Sequence, residues 1–120
     1  EEKPELTDKD TENLARYEKI AEEVTKDIEN YRLYLAIEKL YHYIWHVFAD
    51  IIIEESKLQL VEDANSKDKE SAQFMLLEIF SNVIKLLHPF IPFVTEEIWS
   101  MLPVKKTTND NLLIIEKWPI

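Results

Sequence analysis

The chain has 120 residues, 24 acidic against 14 basic side chains for a net charge of −10, no cysteine and no glycine. That length suffices for one domain burying roughly two-thirds of its unfolded surface, and the missing cysteines exclude a disulfide framework and a thiolate metal site. Average usage of about 7% would give roughly eight glycines; having none removes the residue on which tight hairpins and phosphate-cradling loops depend, so β-rich folds and P-loops fall away.

Thr7-Asp8-Lys9-Asp10 carries a helix-start signature, and Leu14, Tyr17, Ala21, Val24, Ile28 and Tyr31 follow at spacings of three and four, the period of an amphipathic helix. A first helix is expected over about 8–29, with Asn30 as its stop. From Leu33 the pattern restarts with Ala36, Ile37, Leu40, Ile44, Val47, Phe48, Ile51, Ile52 and Leu58. It predicts a second helix over about 33–61, roughly 43 Å long, as the spine of the domain. Glu62 to Glu70 is polar and holds Asn65 and Ser66, which suit a loop and a helix cap. Phe74, Leu77, Phe80, Ile84 and Leu87 mark a third helix over about 67–87.

Pro89 and Pro92 forbid a continuous helix, since each lacks an amide donor and pushes the preceding residue out of helical geometry. Phe90, Ile91, Phe93 and Val94 make this break too apolar for an ordinary surface loop, so a buried corner is expected, with His88 capping it. A fourth helix follows over about 92–102. Pro92 suits its first position, Glu96 and Glu97 favour its positive end, and Ile98, Trp99 and Leu102 turn inward, with Trp99 as a packing anchor. In the tail, 103–120, the run Leu112-Leu113-Ile114-Ile115-Glu116-Lys117-Trp118 is too apolar for a free end and too short for another helix, and an extended segment along the bundle is expected. Short connections favour antiparallel neighbours. The expectation is an all-α, antiparallel up-down bundle of about four helices with an extended C-terminal tail, forming a single domain over 1–120.

No apolar run approaches the roughly 20 residues needed to cross a bilayer, and the acidic start has no signal-peptide character, so a cytoplasmic protein without a membrane anchor is expected. Glu38, His42, His46, Asp50 and Glu54 fall at successive spacings of four along the second helix. They form a polar stripe with potential metal ligands. No Glu-x-x-His or His-Glu-x-x-His occurs, however, and the expectation is a solvated or groove-facing flank with no metal. The serines sit in helical or loop contexts without a strand-turn-helix elbow, so no nucleophile is assigned. The acidity argues against strong non-specific affinity for nucleic acid. It leaves two readings: a module that borrows electrostatic affinity from a larger protein, or a helical protein-interaction scaffold with no nucleic-acid role.

The stretch Leu87-His88-Pro89-Phe90-Ile91-Pro92-Phe93-Val94-Thr95-Glu96-Glu97-Ile98-Trp99 resembles the end of the anticodon-binding helical domain of class I aminoacyl-tRNA synthetases that handle branched aliphatic amino acids, most closely the valyl type. A second block, Leu40 to Asp50 continuing to Glu54 and Lys57, is similar to the same type. The resemblance covers roughly residues 8 to 119. Ala49 departs from the usual cysteine, and Ile51-Ile52 from the usual Trp-Tyr pair, so any role of those rings does not carry over.

The resemblance implies recognition of a tRNA anticodon stem-loop by a fragment of a longer enzyme that ligates valine to its tRNA with ATP. The His-Ile-Gly-His and Lys-Met-Ser-Lys-Ser signatures of that enzyme's catalytic domain are absent here, so this fragment should have no catalytic residue or cofactor of its own. Its partners would be tRNA and the catalytic domain of the same polypeptide, and a monomer is expected. Splayed-out bases could stack on rings and bond to polar side chains among Tyr31, Tyr34, Tyr41, Tyr43 and Trp45 and the nearby Arg32, Lys39, His42 and His46. Packing is the expectation for most of these rings, since helix-spaced aromatics ordinarily face inward. The tRNA-binding candidates are Arg32, a phosphate contact at the turn between the first two helices, with Lys39, His42, Trp45, His46 and Lys57. Lys105 and Lys106 add a small basic doublet.

Overall fold

In a computed structural model of the chain, the residues described are 5–61, 65–102, 112–113 and 118–119. The first helix, α1 (Asp8–Glu29), starts at Thr7. Its Oγ1 accepts from the Asp10 amide at 3.1 Å, and Asp8 and Asp10 place negative charge in the first turn, where the helix dipole favours it. At the other end Tyr31 takes φ 61°. Its amide donates to the Ile28 carbonyl at 3.1 Å, and that of Arg32 to the Asp27 carbonyl at 2.7 Å. These are the two bonds of a Schellman cap. Its left-handed position normally takes glycine, because a Cβ there costs roughly 1–2 kcal/mol; in a chain without glycine a tyrosine fills it.

A rod follows, made of α2 (Leu33–His42), a π-helical stretch (Tyr43–Ile53) and α3 (Glu54–Leu60). The backbone stays helical across both junctions, with φ, ψ of −61°, −49° at Tyr43 and −60°, −46° at Glu54. The wide middle is a correction to an α-helical reading of 33–61, and it shifts the buried register. Ala36, Leu40 and Tyr43 face the core, and the next inward residues are Phe48 and Ile52, so the step from Tyr43 is five residues. Phe48 is buried and Val47 only partly so. Apolar side chains on both sides of the slip let one residue replace the next without losing burial. Leu33, Ile37 and Ile51, placed on the apolar stripe by their spacing, are exposed.

Asn65 opens α4 (Ser66–Leu87), its side chain accepting from the Lys67 amide at 2.9 Å. The start of α4 meets the start of α1 and the end of the rod. Ser71 Oγ donates to the Asp10 carboxylate and accepts from the Thr7 amide at 2.9 Å, while Gln59 Nε2 donates to Asp10 Oδ2 at 3.0 Å. The rod therefore runs antiparallel to both α1 and α4, the arrangement of an up-down bundle. Asp10 is 1% exposed, and its hydrogen bonds offset the cost of burying a carboxylate. The main core lies between these elements: Tyr17, Ala21 and Val24 from α1, the inward residues of the rod, and Met75, Ile79, Val83 and Leu86 from α4.

The fifth helix, α5 (Pro92–Met101), begins with Pro92 at its first turn and folds back on the end of α4. His88 Nδ1 pairs with Thr95 Oγ1 at 2.8 Å, and the His88 amide caps the Ile84 carbonyl at 3.1 Å. Thr95 and Trp99, one turn apart, face inward, and Trp99 joins Ile84 and Leu113 in a second cluster. That orientation turns the other flank out. Phe90 packs on the core, but Ile91, Phe93 and Val94 are exposed, Phe93 by 91%, so the expected buried corner is buried on one side only.

Two points of the tail return to the bundle. The Leu113 amide donates to both Glu96 carboxylate oxygens at 3.0 and 2.9 Å, and Trp118 Nε1 donates to Thr25 Oγ1 at 2.9 Å. Most of the segment expected to be extended, including Lys105 and Lys106, lies outside the described residues. The described residues form helices and no strand, in agreement with the all-α bundle expected from the sequence. No described helix is long and apolar enough to cross a membrane.

Candidate nucleic-acid interface

One flank of the rod, together with the turn before it, carries polar and aromatic side chains that the core does not use. Tyr31, Tyr34, Tyr41 and Trp45 are exposed, while Tyr43 is buried at 1%. The expectation that most of these rings pack inward is thus corrected. The reason is angular: the core takes Ala36, Leu40 and Tyr43, and Tyr34, Tyr41 and Trp45 lie on another face of the same turns. Tyr41 and Trp45 are nearly parallel, their ring centroids 6.4 Å apart at an interplanar angle of 6°. Beside them His42 and His46 stand 5.0 Å apart, and His46 Nδ1 lies 3.8 Å from Asp50 Oδ2. Trp45, His42 and His46 therefore share one open surface.

The cationic candidates sit differently. Arg32 donates through Nε and Nη2 to Asp27 Oδ1 at 3.2 and 3.0 Å, and Lys39 Nζ lies 2.7 Å from Asp27 Oδ2. Both charges converge on one buried carboxylate and hold the turn closed. The hydrogen bond from Lys39, then that from Arg32, hold the Asp27 carboxyl below the usual carboxylate range against the opposing effect of desolvation. Lys57 pairs with Glu54 at 2.9 Å and lies in α3, roughly 16 Å along the rod from His46, so it does not join the aromatic surface.

Sequence reasoning missed Asp27 and Asp10. Charged residues are read as solvated by default, yet Asp10, Asn13, Tyr17, Ala21, Val24 and Asp27 repeat at spacings of three and four and are all buried. The periodicity that marks the core also marks these anchors.

The surface suits stacking more than charge neutralisation. Between residues 31 and 50, Arg32 and Lys39 balance Glu38 and Asp50, so the net charge of −10 lies entirely elsewhere. Open π faces take bases of any sequence, and imidazoles and phenols can donate to or accept from base edges and phosphates. The described residues include no group of three His, Asp or Glu side chains arranged to hold a metal ion.

Comparison with known proteins shows the family of the chain. Residues 10–120 match the family described as the anticodon-binding domain of tRNA ligase. A valine–tRNA ligase of Petrotoga mobilis is 40% identical over 106 residues, covering 88% of this chain and 12% of the relative. That of Thermotoga maritima is 38% identical over 106 residues, with 88% and 11% covered, and that of Corynebacterium efficiens 33% over 118 residues, with 98% and 12% covered. The chain thus spans about one-eighth of the length of these curated relatives. The match over residues 10–120 shows that the chain belongs to the anticodon-binding domain family of tRNA ligases.

Proposed function

We propose that this domain recognises the anticodon stem-loop of valine tRNA within a longer valine–tRNA ligase. The observation that carries the reading is the exposed flank holding Tyr41, Trp45, His42 and His46 in a member of an anticodon-binding family. Unpaired loop bases stack on Tyr41 and Trp45, and His42 and His46 contact base edges or phosphates. Arg32 and Lys39 act mainly by holding the turn, with their remaining donors toward the RNA; Lys57 is peripheral. In this reading the complete enzyme joins valine to its tRNA with ATP in the cytoplasm, and bond-making residues belong to a catalytic domain of the same polypeptide. The 120-residue chain is a monomer, catalytically silent, and supplies recognition and orientation.

Titration of the chain with a labelled valine anticodon stem-loop at low salt tests this. Trp45→Ala should weaken binding about tenfold, as for loss of one base-stacking ring, with the helical fold retained because Trp45 lies outside the core. Equal affinity of wild type and variant would remove the assigned surface. The net charge of −10 favours a second reading, in which the same flank receives a protein partner. The absence of any RNA affinity, alone and in the longer ligase, would support that reading instead.

A further inference from the structure

We infer that Tyr31 is a base-stacking residue, a ring held out at the turn between α1 and α2 to receive an unpaired nucleobase of an RNA loop. The inference rests on the RNA-binding reading above and deepens it. Tyr31 combines a backbone cost with a side chain that does not offset it. Its backbone sits at φ 61°, where a side chain with a Cβ is disfavoured and where glycine fits without that penalty. Its side chain is 91% exposed, so the ring gains almost no burial in return. A strained residue held by its surroundings points to a use outside the fold.

The surroundings hold it firmly. The Tyr31 amide is bonded to the Ile28 carbonyl, and Arg32, next in sequence, is tied to Asp27 through both backbone and side chain. Lys39 closes on the same carboxylate from α2. The base of the ring is therefore fixed before any ligand arrives, which lowers the ordering cost of binding. Arg32 and Lys39 bring two cations to the turn beside Tyr31, against the one Asp27 carboxylate they share. A base is the ligand class that fits: a flat π system that needs only an open ring face.

The test uses Tyr31→Gly, Tyr31→Phe and wild type, titrated with a stem-loop carrying 2-aminopurine at an unpaired loop position. Tyr31→Gly should melt at a higher temperature than wild type, because the turn is relieved, and bind about tenfold more weakly, with the quenching of the reporter base reduced. Tyr31→Phe should keep affinity within about twofold, since the ring face is retained. Unchanged affinity and quenching in Tyr31→Gly would overturn the inference while leaving the RNA-binding reading intact. Equal loss in Tyr31→Phe would assign the effect to the hydroxyl and overturn stacking. If wild type binds no stem-loop at all, the broader reading falls and this one with it.

Discussion

Asp27 and Arg32 hold each other twice: the Arg32 amide donates to the Asp27 carbonyl at 2.7 Å, and the Arg32 guanidinium donates to Asp27 Oδ1 at 3.2 and 3.0 Å. One contact ends α1 and the other locks the turn that presents Tyr31. Lys39, 2.7 Å from the second carboxylate oxygen, brings α2 into the same clamp. The side chains that the sequence offers as RNA contacts at this turn are thus also what shapes it.

The clamp predicts an acid-sensitive fold. The Asp27 carboxyl is held below its ordinary value by Lys39 and Arg32, so its contribution is present above the unfolded value near pH 4 and is lost as pH falls through the lower folded value. Asp27→Asn should lower the melting temperature at pH 7. It should also flatten the decline of stability below about pH 4, as read by thermal melts across pH.

Alkaline stability should depend on two buried phenols. Tyr17 and Tyr43 lie with ring centroids 6.3 Å apart, and neither hydroxyl has a hydrogen-bond partner among the described residues. Burial pushes both well above the ordinary tyrosine value. The stability they contribute is therefore present below the unfolded value near pH 10 and is lost as pH rises beyond it. Tyr43→Phe should be neutral or stabilising by about 1 kcal/mol at pH 7, since it removes an unpaired buried hydroxyl. Paired with Tyr17→Phe it should flatten the loss of stability above about pH 10 in denaturant titrations.

At the opposite end of the bundle, Ser71→Ala should cost about 2 kcal/mol in urea unfolding, because it removes a hydrogen bond to the buried Asp10 carboxylate and the acceptor of the Thr7 amide. A double-mutant cycle with Gln59→Ala should show coupling, since both side chains donate to Asp10 Oδ2.

The two flanks of α5 should respond oppositely to truncation. Trp99→Ala removes a ring that is 2% exposed and should cost about 3–5 kcal/mol. Phe93→Ser, at a position 91% exposed, should leave stability within about 0.5 kcal/mol. Chemical denaturation of both variants measures the difference directly.

Legibility followed chemistry. Thr7 and Asn65 declared helix starts because their side chains satisfy free amides in the first turn, and Pro92 announced a new helix because its missing donor is harmless there. The inward side of α1 was plain from Tyr17, Ala21 and Val24. Three features were hidden. The five-residue step from Tyr43 to Phe48 leaves no mark when Val47 and Phe48 are both apolar. Phe90 and Phe93 read alike, although the angle at which α5 leaves Pro92 buries much of one and exposes the other. Arg32 reads as a phosphate contact because nothing in the sequence marks Asp27, a charged residue, as its buried partner. The candidate surface was legible as a cluster of residue types, but which rings stayed open depended on the face chosen by Ala36, Leu40 and Tyr43.

The central claim is most directly tested by competition between two RNAs for the wild-type chain: the valine anticodon stem-loop and an unrelated stem-loop of the same length, at low and moderate salt. The account predicts roughly tenfold preference for the valine loop, carried by exposed bases, and a shallow salt dependence because the two cations beside the surface, Arg32 and Lys39, are already paired with Asp27. Equal affinity for the two loops, falling together steeply with salt, would contradict it.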